Sequence, residues 1–446
     1  MTILGVDLTD IGLTPADLGA PVPSAKPVVA PAPDPSALTP GSPLAVALYQ
    51  VWAGRSVTSV ESAPGAGKST LICQAVTQLH TRSDMKITVA TPTRRGAFEL
   101  AGRLAEVLGR AANGDARVTM GMKCHPDESL PKDVHGYGKP TSLLRQVSVR
   151  TIASCASSAP EVDVLVVDEA YQAVFAQVAL AAEHATQLFM VGDPGQIGPV
   201  VQSDTFAWAS MPAGPHMRAP EVFAQDKDAF ILRLPSTYRL GQVTVDAIAP
   251  LYDFTFDSVR PDRHLVDQDG VVLPEIQPVL VSAAGEFDMV MLSEVAAAAV
   301  RFIGMTVVEQ TPTGPVSRVL DGSDVAVVVA RSGQESTVNA MLRRAGPHTE
   351  DVTVGTADRL QGGQWHAVAA LDPLVGSDMV DDFRTGPGRL CVMVSRSMTA
   401  LVWFHDGRWE QSLQSEAADP DAAAKGLAVR RALCAPPRVH RARAVT

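Results

Sequence analysis

Residues 57–70 read VTSVESAPGAGKST. An apolar run with Val57 and Val60 leads into a turn carrying Gly65 and Gly67. Lys68 and Ser69 follow, and then Leu71, Ile72, Ala75, Val76 and Leu79 recur at helical spacing. Strand, glycine loop and helix in that order are the setting of a phosphate-binding P-loop. Glycines let successive backbone N–H groups turn toward phosphate oxygens, and the helix N-terminus adds partial positive charge. The candidate nucleotide cradle is therefore Pro64, Gly65, Ala66, Gly67, Lys68, Ser69 and Thr70. Lys68 is placed to reach the β- and γ-phosphates, and Ser69 to ligate Mg2+. Ser62 stands where the motif usually opens with glycine.

Working outward, residues 162–173 (VDVLVVDEAYQA) form a buried strand ending in Asp168 and Glu169. Phosphoanhydride hydrolysis needs one carboxylate for the Mg2+ shell and another to orient and deprotonate water. The competing reading is an acidic helix start after a core strand. Residues 187–200 (QLFMVGDPGQIGPV) repeat the strand-and-turn pattern, with Gly192, Asp193 and Gln196 beyond the strand; Gln196 is a candidate γ-phosphate sensor. Phe206 and Trp208 follow, suited to base stacking or to packing on their own domain. In residues 86–110, a strand (Ile87, Val89, Ala90) and a helix (Phe98, Leu100, Leu104, Val107, Leu108) flank Thr91, Pro92, Thr93, Arg94 and Arg95. That strand edge is where parallel α/β sheets bind ligands. Hydroxyls and arginines there suit a nucleic-acid backbone, or simply a solvated helix start. Thr151 ends a further strand, and Tyr49 and Gln50 lie on a short helix ahead of the P-loop, as adenine contacts or as an ordinary helix face.

The chain has 446 residues, 46% apolar, with a net charge of −11. The length predicts two or three domains, and the acidity argues against a histone-like, charge-driven binder. Cys73, Cys124, Cys155, Cys391 and Cys434 are scattered and odd in number, the pattern of a reduced, cytoplasmic protein. Cys124, His125 and His135 are three metal-type side chains without a fourth, better read as a solvated loop. The sequence has no secretory pattern and no apolar run of about 18 residues, so no membrane contact is expected. Residues 1–43 are rich in Pro, Ala and Ser and read as a disordered leader, with residues 1–8 able to dock as a strand or bind a protein partner.

Beyond a Pro/Gly-rich linker, the domain boundary is predicted near residue 230. A core-facing helix is expected over about 287–303, and residues 324–334 (DVAVVVARSGQ) form a buried strand and turn. Residues 352–374 carry Thr356, Asp358, Gln361, Gly362 and Gly363 between two strands, and residues 389–407 form an apolar helix reaching Ser395 and Arg396, then a strand. From about 415 the chain is Ala-rich and then basic (Lys425, Arg430, Arg431, Arg438, Arg441, Arg443), which reads as a solvated tail.

In order and spacing, GAGKS, TPTRR, VVDEAYQ, GDPGQIGPV, LPSTYRLG, GTADRLQGGQ and VMVSRS resemble motifs I, Ia, II, III, IV, V and VI of the superfamily 1 helicases. GDPGQIGPV is most similar to the 5′-to-3′ RNA-surveillance and viral-type branch. The resemblance implies an α/β protein of two tandem RecA-like domains with parallel sheets, at about 44–230 (with a small insertion near 111–148) and 231–414. It implies ATP with Mg2+ and a single strand, DNA ahead of RNA, as partner to a monomer. It further implies Lys68 and Ser69 on phosphate and Mg2+, Asp168 on Mg2+, and Glu169 as base. Gln196 would sense the γ-phosphate, and Arg239 and Arg396 would act as arginine fingers from the second domain. Thr91, Pro92, Thr93, Arg94, Thr151, Thr356 and Asp358 would line the strand. Arg396 is expected to project into the cleft between the domains. Gln364 replaces the glutamate common at the end of motif V, and no glutamine motif precedes the P-loop. Two other readings are weighed: an ATPase that clamps or remodels nucleoprotein without unwinding, and a metabolic P-loop kinase, which the second unit and its arginines disfavour.

Overall fold

The computed structural model describes residues 2–3, 6–7, 38–125, 128–138, 145–201, 204–208, 210–414 and 419–435. The proposed leader, Arg438, Arg441 and Arg443 lie wholly or largely outside them. The chain divides at Leu234/Pro235 into two compact units, with the short stretches Ala63–Ala66 and Gly195–Ile197 belonging to the second. Both units carry the parallel α/β architecture.

The first unit holds an eight-stranded, wholly parallel sheet. Its order is Ala229–Arg233, Val57–Glu61, Ala185–Gly192, Val162–Val167, Ile87–Thr91, Val147–Thr151, Val118–Met120 and Val134–His135. Parallel strands covered on both faces need continuous apolar runs rather than alternation, and every residue of Val57–Glu61 and Ile87–Thr91 is buried. On one face Val57, Leu165, Val167, Leu188 and Met190 pack with Ile152, Cys155, Val178 and Ala181. Each such side chain contributes roughly 1.5–3 kcal/mol when fully removed from water. The register aligns Glu61 with Gly192, and Val167 with Met190 and with Ala90. The C-terminal ends of the P-loop strand and its neighbours therefore reach one edge together. Residues 111–148, expected as a loop-rich insertion, contribute two short parallel strands to this sheet.

The second unit holds a five-stranded parallel sheet in the order Ile276–Leu280, Ser397–His405, Trp365–Leu371, Val325–Val329 and Thr353–Thr356. A three-stranded antiparallel sheet of Arg263–Val266, Thr306–Thr311 and Gly314–Val319 stands beside it. Helix Met289–Phe302 starts where Asp288 accepts hydrogen bonds from the Val290 and Met291 N–H groups. Its Val295 and Phe302 share one core with Val325 and Val327, while Leu390, Val392 and Val394 of helix Pro387–Ser395 share another with Ala326 and Val328.

The expected solvated tail is, in part, a packed element. Pro420–Leu433 is a helix with Ala423, Gly426, Val429 and Leu433 buried. Its Arg430 is fully buried and donates to both Asp372 carboxylate oxygens, at 2.7 and 2.9 Å. Small and apolar residues at three- and four-residue spacing give this stretch a core face, which its basic composition concealed.

Candidate nucleotide site

The P-loop strand Val57–Glu61 gives way to a turn with Gly65 at φ 77° and Gly67 at φ 89°. Glycine enters that left-handed region without the Cβ penalty. Gly67 then caps helix Lys68–Arg82 with no side chain of its own, so the first-turn N–H groups at Lys68, Ser69 and Thr70 face the loop without i−4 acceptors. These predicted cradle residues are contiguous at one helix N-terminus, a geometry that favours anions.

Lys68 Nζ stands 3.9 Å from Glu169 Oε1 and 3.9 Å from Asp193 Oδ2. Both separations exceed hydrogen-bond length, so the cation is held by charge between two carboxylates. Asp193 is fully buried. The sequence had displayed this aspartate between Gly192 and Gln196, but only folding places it beside Lys68.

Asp168 ends strand Val162–Val167, and its Oδ1 accepts from the Glu169 N–H at 2.9 Å. Burial above all, and then the Glu169 charge, raise the Asp168 pKa, against the opposing pull of Lys68. A buried carboxylate with a raised pKa is one that a divalent cation can restore to its charged form. Among the described residues no group of three or more His, Cys, Asp or Glu side chains could hold a metal. Ser69 and Asp168, one hydroxyl and one carboxylate, suit Mg2+, which favours one or two carboxylates plus substrate phosphates over an all-protein cage. Cys124, His125 and His135 form no such group; the His135 ring instead meets the Ala116 N–H at 3.3 Å and Gln146 Nε2 at 3.1 Å.

Glu169 has φ 49° and ψ 42°. Only it and Asp133 have positive φ among the described non-glycine residues. A left-handed glutamate costs about 1–2 kcal/mol, so its neighbours must hold it there.

The expected strand-contacting residues have local partners. Thr91 is buried and donates to the Thr93 carbonyl at 2.8 Å, Thr93 caps helix Arg94–Leu108, and Thr151 caps helix Ile152–Ser157. Pro92 is half-buried in the turn between them. Arg94 pairs with Glu128, through Nε at 3.0 Å and through Nη2. Thr356 ends strand Thr353–Thr356, and Asp358 pairs with Arg389 at 3.2 Å. Gln50 is buried in helix Pro43–Trp52, where its Oε1 accepts from Arg55 Nε at 3.4 Å.

Within the second unit, Thr237 Oγ1 donates to the Pro64 carbonyl at 2.7 Å, and a Cβ added at Gly65 would lie 2.3 Å from Arg239 Cβ. Gln196 Oε1 accepts from Gln361 Nε2 at 3.3 Å. Arg396 is buried; its guanidinium donates to the Val392 and Gly363 carbonyls at 3.1 and 3.0 Å and to Ser395 Oγ at 3.3 Å. The donors expected to project outward are thus directed at the unit's own backbone. Phe206 is strongly exposed, whereas Trp208 lines a cavity of about 380 Å3 with Gln172, Val174, Pro199 and His216.

Comparison with protein families matches residues 45–246 to the AAA domain. That stretch covers nearly all of the first unit. No curated protein matches it. Among solved structures, the PRRSV helicase is similar at 16% identity and TM-score 0.43, over 82% of this chain and 56% of that one. Arterivirus nonstructural protein 10 (helicase), in a complex with DNA, is similar at 15% identity and TM-score 0.43, over 81% of this chain and 64% of that one. The chain thus spans less than two thirds of the length of these viral proteins. No helix among the described residues is long and apolar enough to cross a membrane.

Proposed function

We propose that this protein is a superfamily 1 helicase or translocase that couples ATP hydrolysis to 5′-to-3′ movement on single-stranded nucleic acid, with DNA as the preferred track. The observation that carries the reading is a second parallel α/β unit following the P-loop unit in one chain. A small-molecule kinase has no need of that unit, whereas a motor uses two units to turn hydrolysis into movement. The ordered motif set supports the same class.

In this reading the first-turn N–H groups after Gly67 and the Lys68 ammonium hold the β- and γ-phosphates. Lys68 leaves its two carboxylate neighbours for the phosphates as nucleotide enters. Ser69 and Asp168 would hold Mg2+, which neutralises charge on the transferred phosphoryl group. Glu169 accepts a proton from the attacking water, and Gln196 reports the γ-phosphate. Thr91, Pro92, Thr93, Arg94, Thr151, Thr356 and Asp358 line the strand path, and Arg239 assists the phosphoryl transfer. The protein would work in the cytoplasm, in keeping with five unbridged cysteines.

Displacement of a labelled strand from duplexes with a 5′ or a 3′ single-stranded overhang tests this. The expected result is ATP-dependent displacement from the 5′-overhang substrate. ATPase activity stimulated by single strands, without displacement from either substrate, would favour the clamp or remodelling alternative instead.

A further inference from the structure

Tyr171 lies two residues beyond Glu169, in the 3-10 turn Ala170–Gln172 that the left-handed glutamate initiates. Its side chain is buried, and its hydroxyl donates to Glu61 Oε1 at 2.7 Å. Glu61 is the last residue of the P-loop strand, and its other oxygen accepts from Arg233 Nε at 3.1 Å. The same ring fills the space over Gly192, where an added Cβ would lie 2.9 Å from Tyr171 Cδ2. Gly192 in turn immediately precedes Asp193, and its carbonyl accepts from the Ser62 N–H at 3.0 Å. Arg218 sits with its guanidinium carbon 6.0 Å from the Tyr171 ring centroid and donates to the Pro194 carbonyl at 2.8 Å.

One buried phenol thus touches the ends of the two strands that lead to Lys68 and Asp193, and lies just beyond the strand that leads to Glu169. Burial and the Glu61 charge push the phenol pKa up, so the hydroxyl remains a donor at any working pH. A left-handed non-glycine residue persists only where its surroundings over-determine it. The Tyr171 anchor supplies that constraint two residues downstream of Glu169.

We propose that Tyr171 is the positioning residue of the hydrolytic site: its hydrogen bond to Glu61 holds the left-handed turn that aims Glu169, and so sets the rate of hydrolysis rather than the affinity for nucleotide. The inference rests on the hydrolytic reading above. Losing the hydroxyl leaves the Lys68 loop intact but lets the Glu169 turn relax, and a misaimed base costs turnover without costing ground-state binding.

The test compares wild type, Tyr171→Phe, Glu61→Ala and the double variant for ATP turnover, for affinity toward a non-hydrolysed ATP analogue, and for thermal midpoint. Tyr171→Phe should lower kcat about tenfold while analogue affinity stays within about twofold. The double variant should fall no further than Glu61→Ala alone, because the two groups act through one contact. Unchanged kcat in Tyr171→Phe, a parallel loss of analogue affinity, or additive losses in the double variant would each overturn the proposal. Failure of wild type to hydrolyse ATP would instead remove the hydrolytic reading, and this inference with it. Normal wild-type hydrolysis that Tyr171→Phe leaves untouched removes the inference alone.

Discussion

In the first unit, Lys68 stands 3.9 Å from each of two carboxylates, beyond hydrogen-bond length from either. In the second, Arg396 and Arg430 are buried and hydrogen-bonded: Arg396 to the Val392 and Gly363 carbonyls, Arg430 to both oxygens of Asp372. All three cations are largely withdrawn from water, but their partners differ in kind. Backbone carbonyls and a matched carboxylate are permanent partners, fixed by the fold. Two carboxylates at a distance provide charge balance without geometry, and incoming phosphates can replace it. The contrast separates cations that support the fold from one held ready for a ligand, and it predicts that stability and activity will respond in opposite order along the series.

Arg430→Ala should have the largest effect on stability. It leaves Asp372 buried without its cation, and breaking such a pair costs about 3–5 kcal/mol. The urea midpoint should drop sharply. A double replacement of Arg430 and Asp372 by apolar residues of similar volume should recover most of that loss, since the pair itself offers little net gain over packing. If Arg430→Ala unfolds at the wild-type midpoint, the C-terminal helix is not held as described.

Arg396→Ala comes next. Two backbone carbonyls lose a charged donor, and hydrogen bonds to charged groups contribute about 1.5–3 kcal/mol. A lower thermal midpoint, with Arg396→Lys restoring only part of it, is expected because lysine lacks the planar fork that reaches separate acceptors. Turnover loss at an unchanged midpoint would show that the guanidinium leaves these carbonyls during catalysis.

Asp168→Asn should act in the other direction. The Asp168 pKa in the folded chain is raised from its ordinary value to about 7, chiefly by burial. Between those two values the folded state keeps a proton that the unfolded state has lost, so stability falls as pH rises through that window. Asparagine removes the penalty. The variant should therefore melt above wild type near about pH 8 and converge with it near about pH 4, while losing hydrolysis. This is the usual exchange of stability for an active carboxylate.

Much of this site was legible because it is local. Glycine, lysine and serine at fixed spacing after an apolar strand define a P-loop within one short stretch, and the Asp168–Glu169 pair likewise closes its own strand. The continuous apolar runs at residues 162–167 and 325–329 marked buried strands, and the parallel sheets were expected from the motif resemblance. What escaped the reading was set by long-range contact. Asp193 meets Lys68, and Tyr171 meets Glu61, across separations of 125 and 110 residues in the sequence. The direction of the Arg396 side chain depends on a carbonyl at Gly363, on a different element. The helix Pro420–Leu433 was hidden for another reason: charge composition outweighed the spacing of its four buried small and apolar residues, Ala423, Gly426, Val429 and Leu433. A left-handed glutamate leaves no mark in a sequence, since no residue type at position 169 announces it.

The most direct test is phosphate release from ATP and Mg2+ by the full chain and by Lys68→Ala, each with and without single-stranded DNA or RNA, alongside their thermal midpoints. The account predicts wild-type hydrolysis that rises several-fold with single strands, more with DNA than with RNA. Lys68→Ala should show no hydrolysis above background yet melt with wild type. Hydrolysis that survives in Lys68→Ala, or a wild-type rate indifferent to single strands, would contradict it.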